Sequence, residues 1–114
     1  MNDRDRIILQ KIAKYISESN SYTEGMSFEA FSKDTKTINA TAFIFGQIGE
    51  LAKRISAEIQ QTNPQIPWKG IRGLRNRIVH DYENIDMKIL WETITNDMPD
   101  LFMKINAMLQ GADL

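Results

Sequence analysis

The stretch INATAFIFGQIGELAKRISAEI, residues 38–59, decides the fold. It sets Ile38, Thr41, Phe45, Ile48, Ala52, Ile55 and Ile59 at successive steps of 3, 4, 3, 4, 3 and 4. Steps of this kind make a heptad seam, the pattern by which helices pack side by side at a shallow angle. The seam predicts one continuous helix. Gly46 and Gly49 lie inside it, and each costs a helix interior about 1 kcal/mol against alanine. Close approach of another backbone is the expected reason for them, ahead of room for a ligand.

The same period runs outward in both directions. Residues 3–18 carry Ile8, Leu9, Ile12, Ala13, Tyr15 and Ile16 on one stripe, with Asp3, Arg4, Lys11, Lys14 and Glu18 mainly on the other side. Ser19 to Gly25 reads as a loop by composition. Ser27 is placed to cap a short helix holding Phe28 and Phe31. On the C-terminal side, Asn63-Pro64 ends the central helix, because proline disfavours a helical residue before it. Pro67 suits the first turn of the next helix, and Trp68, Ile71, Leu74 and Ile78 continue the seam. Tyr82 to Ile85 reads as a break, and Asp86 as the cap of a last helix through Leu90, Ile94, Met98, Leu101, Ile105 and Met108. Pro99 should kink or split that helix, and Gly111 is a natural stop.

No stretch alternates as a strand would, so the expected class is all-α. The expected form is an antiparallel four-helix bundle with one additional short helix, a single domain over 1–114. The six methionines read as gap-filling core. Trp68 and Trp91 read as core or interface residues rather than base-stacking platforms. Small and apolar residues around much of the third and fourth helices point to a homodimer, or a larger even assembly, with two-fold symmetry.

The counts exclude several functions. With no cysteine, there is no disulfide scaffold, thiolate metal site or cysteine nucleophile. One histidine makes a metal site improbable, and no cofactor motif stands out. No apolar run reaches the roughly eighteen residues of a membrane span, and the polar start does not resemble a signal peptide. A cytoplasmic protein is expected.

The net charge of −1 hides a polarity. Residues 51–80 carry Lys53, Arg54, Lys69, Arg72, Arg75 and Arg77 against Glu58 alone; six cations less one acid is +5, leaving −6 elsewhere. From Trp68 to His80 there are cations and no carboxylate, which suits an anionic ligand. Lys69, Arg72 and Arg77 read as an RNA-backbone surface. Glu50 reads either as a partner that orients Arg75 or Arg72 or as a solvated carboxylate.

This segment ends in Arg75-Asn76-Arg77-Ile78-Val79-His80-Asp81-Tyr82. Histidine suits proton transfer near neutral pH, and arginine offers a charged fork to phosphate oxygens. Together they can cleave RNA without a metal. The base takes the proton of a ribose 2′-hydroxyl, that oxygen attacks the adjacent phosphorus, and arginine stabilises the growing charge. DNA lacks this nucleophile. On an ideal helix, however, His80 lies about 140° round from Arg75, while Tyr82 lies about 20° from it. Either the helix unwinds near His80, or the long arginine side chain reaches round, or a second subunit brings its own copy alongside.

The surrounding sequence resembles the HEPN superfamily, specifically its HepT-like toxins. Their hallmark is Arg, four to six residues, His, commonly with a polar residue after the arginine and a tyrosine two after the histidine, matched here by Arg75, Asn76, His80 and Tyr82. Met26 to Phe31, Ile48 to Lys53, Pro64 to Trp68, Gly73 to Asn76, Trp91 and Asp97 to Pro99 extend the resemblance over nearly the whole chain. Leu51 departs from the alanine common at its place. The resemblance implies a helical bundle that dimerises around a composite cleft and acts as a metal-independent endoribonuclease leaving 2′,3′-cyclic phosphate ends. It implies Arg75 and His80 as the catalytic pair, Asn76 as support and Tyr82 as the residue to which a minimal nucleotidyltransferase antitoxin adds AMP. Two other readings compete. One is a catalytically silent binding module that docks a nucleotidyltransferase or holds a nucleotide. The other is a plain dimerisation bundle in which His80 only caps a helix.

Overall fold

The computed structural model describes residues 1–81 and 86–111, with the backbone alone for Arg75 and residues 77–81. Among these residues every regular element is helical: α1 (Asp3–Thr23), α2 (Phe28–Lys33), α3 (Thr35–Lys53), α4 (Ala57–Thr62), α5 (Trp68–Asp81), α6 (Met87–Glu92), a π-helical turn (Thr93–Asp97) and α7 (Met98–Gly111). The all-α expectation holds. Tyr82 to Ile85, the expected break, lies outside the described residues.

Polar side chains start these helices, Ser27 and Asp86 as expected and Asn2 in addition. Asn2 Oδ1 accepts from the Asp5 N–H at 2.7 Å, Ser27 Oγ from the Ala30 N–H at 3.1 Å, and Asp86 Oδ1 from the Lys88 N–H at 2.9 Å. Each satisfies a donor that the first helical turn leaves without a partner.

α3 is the centre of the bundle. It packs on α1 along one side and on α5 along another, and α7 closes against α1. Phe45, Ile48 and Ala52 of the heptad seam are fully buried, joining Leu9, Ile12 and Ile16 of α1 and Leu101 and Ile105 of α7 in one cluster. Burying each large apolar side chain contributes about 1.5–3 kcal/mol. Trp68 is buried, as expected, and its Nε1–H donates to the Asn63 carbonyl at 3.0 Å. Trp91 packs its ring on Phe31 at 5.1 Å and Phe28 at 6.5 Å, which ties α6 to α2.

The structure corrects four expectations. Residues 19–23 are helical, not loop, because buried Ser19 and Thr23 return their hydroxyls to carbonyls one turn back: Ser19 Oγ to Ile16 at 2.9 Å and Thr23 Oγ1 to Ser19 at 3.3 Å. The chain turns only at Gly25, whose φ of 77° falls where glycine is favoured. Second, the heptad stretch is not one helix. It stops at Lys53 and resumes at Ala57, with Ile55 still buried between. Ser56 turns the chain there: its Oγ accepts from the Ile59 N–H at 3.3 Å and donates to Asp5 Oδ2 at 2.7 Å. Third, Gly46 does not mark a close approach within the chain, since a Cβ there would meet nothing within 4 Å among the described residues. Fourth, Met98 and Met108 are core, but Met103 is 72% exposed.

Pro99 splits the last helix as expected. It has no N–H for the ladder, and its ring crowds the carbonyl of Thr95. The chain answers with a wider turn, in which the Met98 N–H reaches Thr93 O, five residues back. Gly111 ends α7.

Candidate nucleic-acid interface

The turn from Asn63 to Pro67 sets the start of α5. The Ile66 N–H donates to Asn63 O at 3.2 Å and the Ile71 N–H to Pro67 O at 3.0 Å, so Pro67 supplies the carbonyl that opens the helix. Trp68 and Ile71 are buried, and Leu74 packs against the core beside them. That inward stripe leaves Lys69 and Asn76 exposed and Arg72 half-buried on the outer side, at steps of 3 and 4.

α5 is continuous from Trp68 to Asp81. The helix therefore does not unwind at His80, and one of the three ways of joining Arg75 to His80 is removed. On this unbroken helix Arg75 and His80 stand about 140° apart in register. The side chains of Arg75, Arg77 and His80, and Tyr82 altogether, lie outside the described residues. Arg72 is given to α4, where its Nη1–H donates to Gln60 Oε1. Glu50 accepts from Lys53 Nζ at 3.3 Å on the surface of α3. Among the described residues Glu50 and Arg72 thus bond other partners rather than each other, and a Glu50–Arg75 pair lies outside the described residues.

α5 leans on α3 and leaves a groove of about 260 Å³ on its other flank. Pro67, Gly70, Ile71 and Leu74 form one wall, and Met98, Leu101, Asp97 and Asp100 line the opposite side. A second concavity, of about 370 Å³, opens between α1 and α3, lined by Lys11, Lys14, Tyr15, Glu18, Gln47, Leu51 and Arg54. The helical period sets the two lysines and Glu18 mainly on the side of α1 away from its apolar stripe. Their convergence with Arg54 depends on how α1 and α3 pair, which periodicity does not encode. Among the described residues, no three of His, Asp and Glu gather as a metal site would require.

The family model described as "Ribonuclease HepT-like" matches residues 12–108. The chain belongs to the HepT-like ribonuclease family. A Thermococcus cleftensis protein named "Probable ribonuclease HepT" is 33% identical over 93 residues, 82% of this chain and 84% of that protein. A Caldanaerobacter subterraneus protein named "Putative RNase TTE0752" is 34% identical over 87 residues, 76% of this chain and 78% of its own. A Methanocaldococcus jannaschii protein named "Putative RNase MJ0127" is 30% identical over 108 residues, 95% of this chain and 89% of its own. No solved structure is a significant match. The HepT-like match takes in α5, the π-helical turn and almost all of α7, so the basic helix and the groove beside it both lie within the family's span. No described helix is long and apolar enough to cross a membrane.

Proposed function

We propose that this chain is a metal-independent endoribonuclease toxin, a single HEPN-like domain over 1–114 that works as a homodimer in the cytoplasm. The observation that supports this most directly is the unbroken α5. A continuous helix separates Arg75 from His80 by about 140°. Two copies of α5 meeting at a two-fold axis bring each Arg75 to the partner's His80 and form one composite cleft. In that cleft the neutral imidazole of His80 takes the proton of a ribose 2′-hydroxyl. The freed oxygen bonds to the adjacent phosphorus as the bond to the 5′-oxygen breaks, and that oxygen leaves with a proton. Arg75 holds the phosphoryl oxygens as their charge grows. The product ends are a 2′,3′-cyclic phosphate and a 5′-hydroxyl; DNA, without the 2′-hydroxyl, is spared. Asn76 supports the site, Glu50 orients Arg75, and Lys69, Arg72 and Arg77 follow the RNA backbone.

The partner in this reading is a minimal nucleotidyltransferase antitoxin that adds AMP to Tyr82. AMP there places bulk and negative charge at the cleft mouth, in competition with RNA phosphate. Incubation of RNA with the protein in EDTA tests the activity. Cleavage with cyclic phosphate ends is expected, with His80→Ala slower by about 10²–10⁴-fold. A folded wild-type protein that leaves every RNA intact, or a His80→Ala variant that cuts as fast, sinks the reading. A Tyr82 peptide that gains mass in AMP steps, absent in Tyr82→Phe, tests the partner.

A further inference from the structure

The concavity between α1 and α3 contains no residue of the Arg–His motif. Its walls carry Lys11 and Lys14 from α1 and Arg54 from just past α3, with Glu18 as the opposing carboxylate, three cations against one acid. Among the described residues none of those three cations makes a side-chain ion pair or hydrogen bond, although Glu18 follows Lys14 by one turn. Unpaired cations around a concave surface focus positive potential into it. Two exposed aromatic rings lie further along the same two helices, past Glu18 and Gln47: Tyr22 is 43% and Phe43 61% exposed. Tyr22 lies one turn beyond Glu18 on α1, and Phe43 one turn before Gln47 on α3. The two helices are antiparallel, since Asp5 at the start of α1 bonds Ser56 past the end of α3. Both rings therefore extend the pocket at the same end.

A free phosphate needs the cations alone, and an acidic protein surface has no use for rings that stack. Cations that hold a phosphate backbone next to rings that stack bases are the combination that binds single strands. We propose that the α1–α3 face is a binding site for single-stranded RNA, with Lys11, Lys14 and Arg54 on the phosphates and Phe43 and Tyr22 under neighbouring bases. The site rests on the reading that RNA is the substrate and holds the strand away from the Arg75–His80 cleft.

The test is fluorescence polarisation with a labelled single-stranded RNA whose riboses are 2′-O-methylated, so that the proposed cleavage cannot occur. Wild type is compared with K11Q/K14Q/R54Q and with K33Q/K88Q/K104Q, a triple that removes the same charge elsewhere; circular dichroism checks each fold. The pocket triple should bind about tenfold or more weakly, with a salt dependence shallower by about 2 in log–log slope, while the other triple stays near wild type. Phe43→Ala should also weaken binding. Unchanged affinity in the pocket triple, an equal loss in both triples, or equal displacement of the RNA by oligoglutamate overturns the proposal. Failure of the unmodified protein to cut RNA counts against the catalytic reading alone, because binding of the blocked strand does not depend on cleavage.

Discussion

Asp5, on the first turn of α1, accepts two hydrogen bonds from Ser56, one from its N–H at 3.0 Å and one from its Oγ at 2.7 Å. Asp5 is 1% exposed. A carboxylate with so little access to water is stable only when its oxygens are engaged, and Ser56 engages both. The same serine caps α4, so one pair of residues joins three helices. Asp5→Ala should cost about 3 kcal/mol, because it strands a donor as well as losing charged hydrogen bonds. Asp5→Asn, which keeps an acceptor, should cost about half that. Urea unfolding of both variants, and of Ser56→Ala and the double variant, gives the coupling. Additive losses would show that the pair does not act as a unit.

Asp34 links α2 to α3 in a way that pH can read. Its N–H donates to Phe31 O at 3.0 Å and its Oδ1 accepts from the Thr37 N–H at 3.1 Å. That backbone hydrogen bond, the Thr37 side chain and nearby Lys36 hold its carboxyl below the ordinary value of 3.8. A carboxyl lowered in the folded state adds stability that is fully present above 3.8 and is lost as pH falls through the lowered value. Between pH 5 and about 2, wild type should therefore lose melting temperature faster than Asp34→Asn, which caps the helix without titrating. Parallel acid slopes for the two proteins would contradict this.

Gly46 separates a free surface from a covered one. Among the described residues a Cβ at this position meets nothing within 4 Å, so Gly46→Ala should stabilise the chain by about 0.5–1 kcal/mol through helix propensity alone. Thermal melts and light scattering together check it. A fall in stability, or a change in oligomeric mass, would show that a second chain approaches this part of α3.

Most of the helices could be read from spacing because one buried stripe per helix needs no knowledge of the neighbours. The Trp68, Ile71, Leu74 stripe and the Pro99 disruption are of this kind. Residues 19–23 have the composition of a loop, whereas the hydroxyls of Ser19 and Thr23 bond within the helix. The break at 54–56 was legible in part: Ser56 with Glu58 in the first turn of α4 is a capping signal, but the apolar period runs across it without a gap. Asp5 supplies the missing reason, and it is 51 residues away. At the candidate site, the exposure of Lys69 and Asn76 opposite the Trp68, Ile71, Leu74 stripe is legible in the period. The meeting of Lys11 and Lys14 with Arg54 is not, since it follows from helix pairing.

The separation of Arg75 and His80 on a continuous α5 yields a sharper test of the composite cleft than either single variant does. Arg75→Ala and His80→Ala homodimers should each be inactive. Mixed and allowed to exchange subunits at equal amounts, they form heterodimers in about half of the dimers. If Arg75 of one chain works with the partner's His80, each heterodimer contains one intact pair and one doubly broken pair. Cleavage should then return to about a quarter of the wild-type rate per chain, half the dimers having one of two sites. If Arg75 reaches round to the histidine of its own chain, every site in the mixture lacks one member and nothing returns. Mixing kinetics measure the difference directly, because activity should appear at the rate of subunit exchange and slow as that exchange slows. A mixture that stays inactive after exchange is verified by mass would place the pair within one chain and remove the need for a shared cleft.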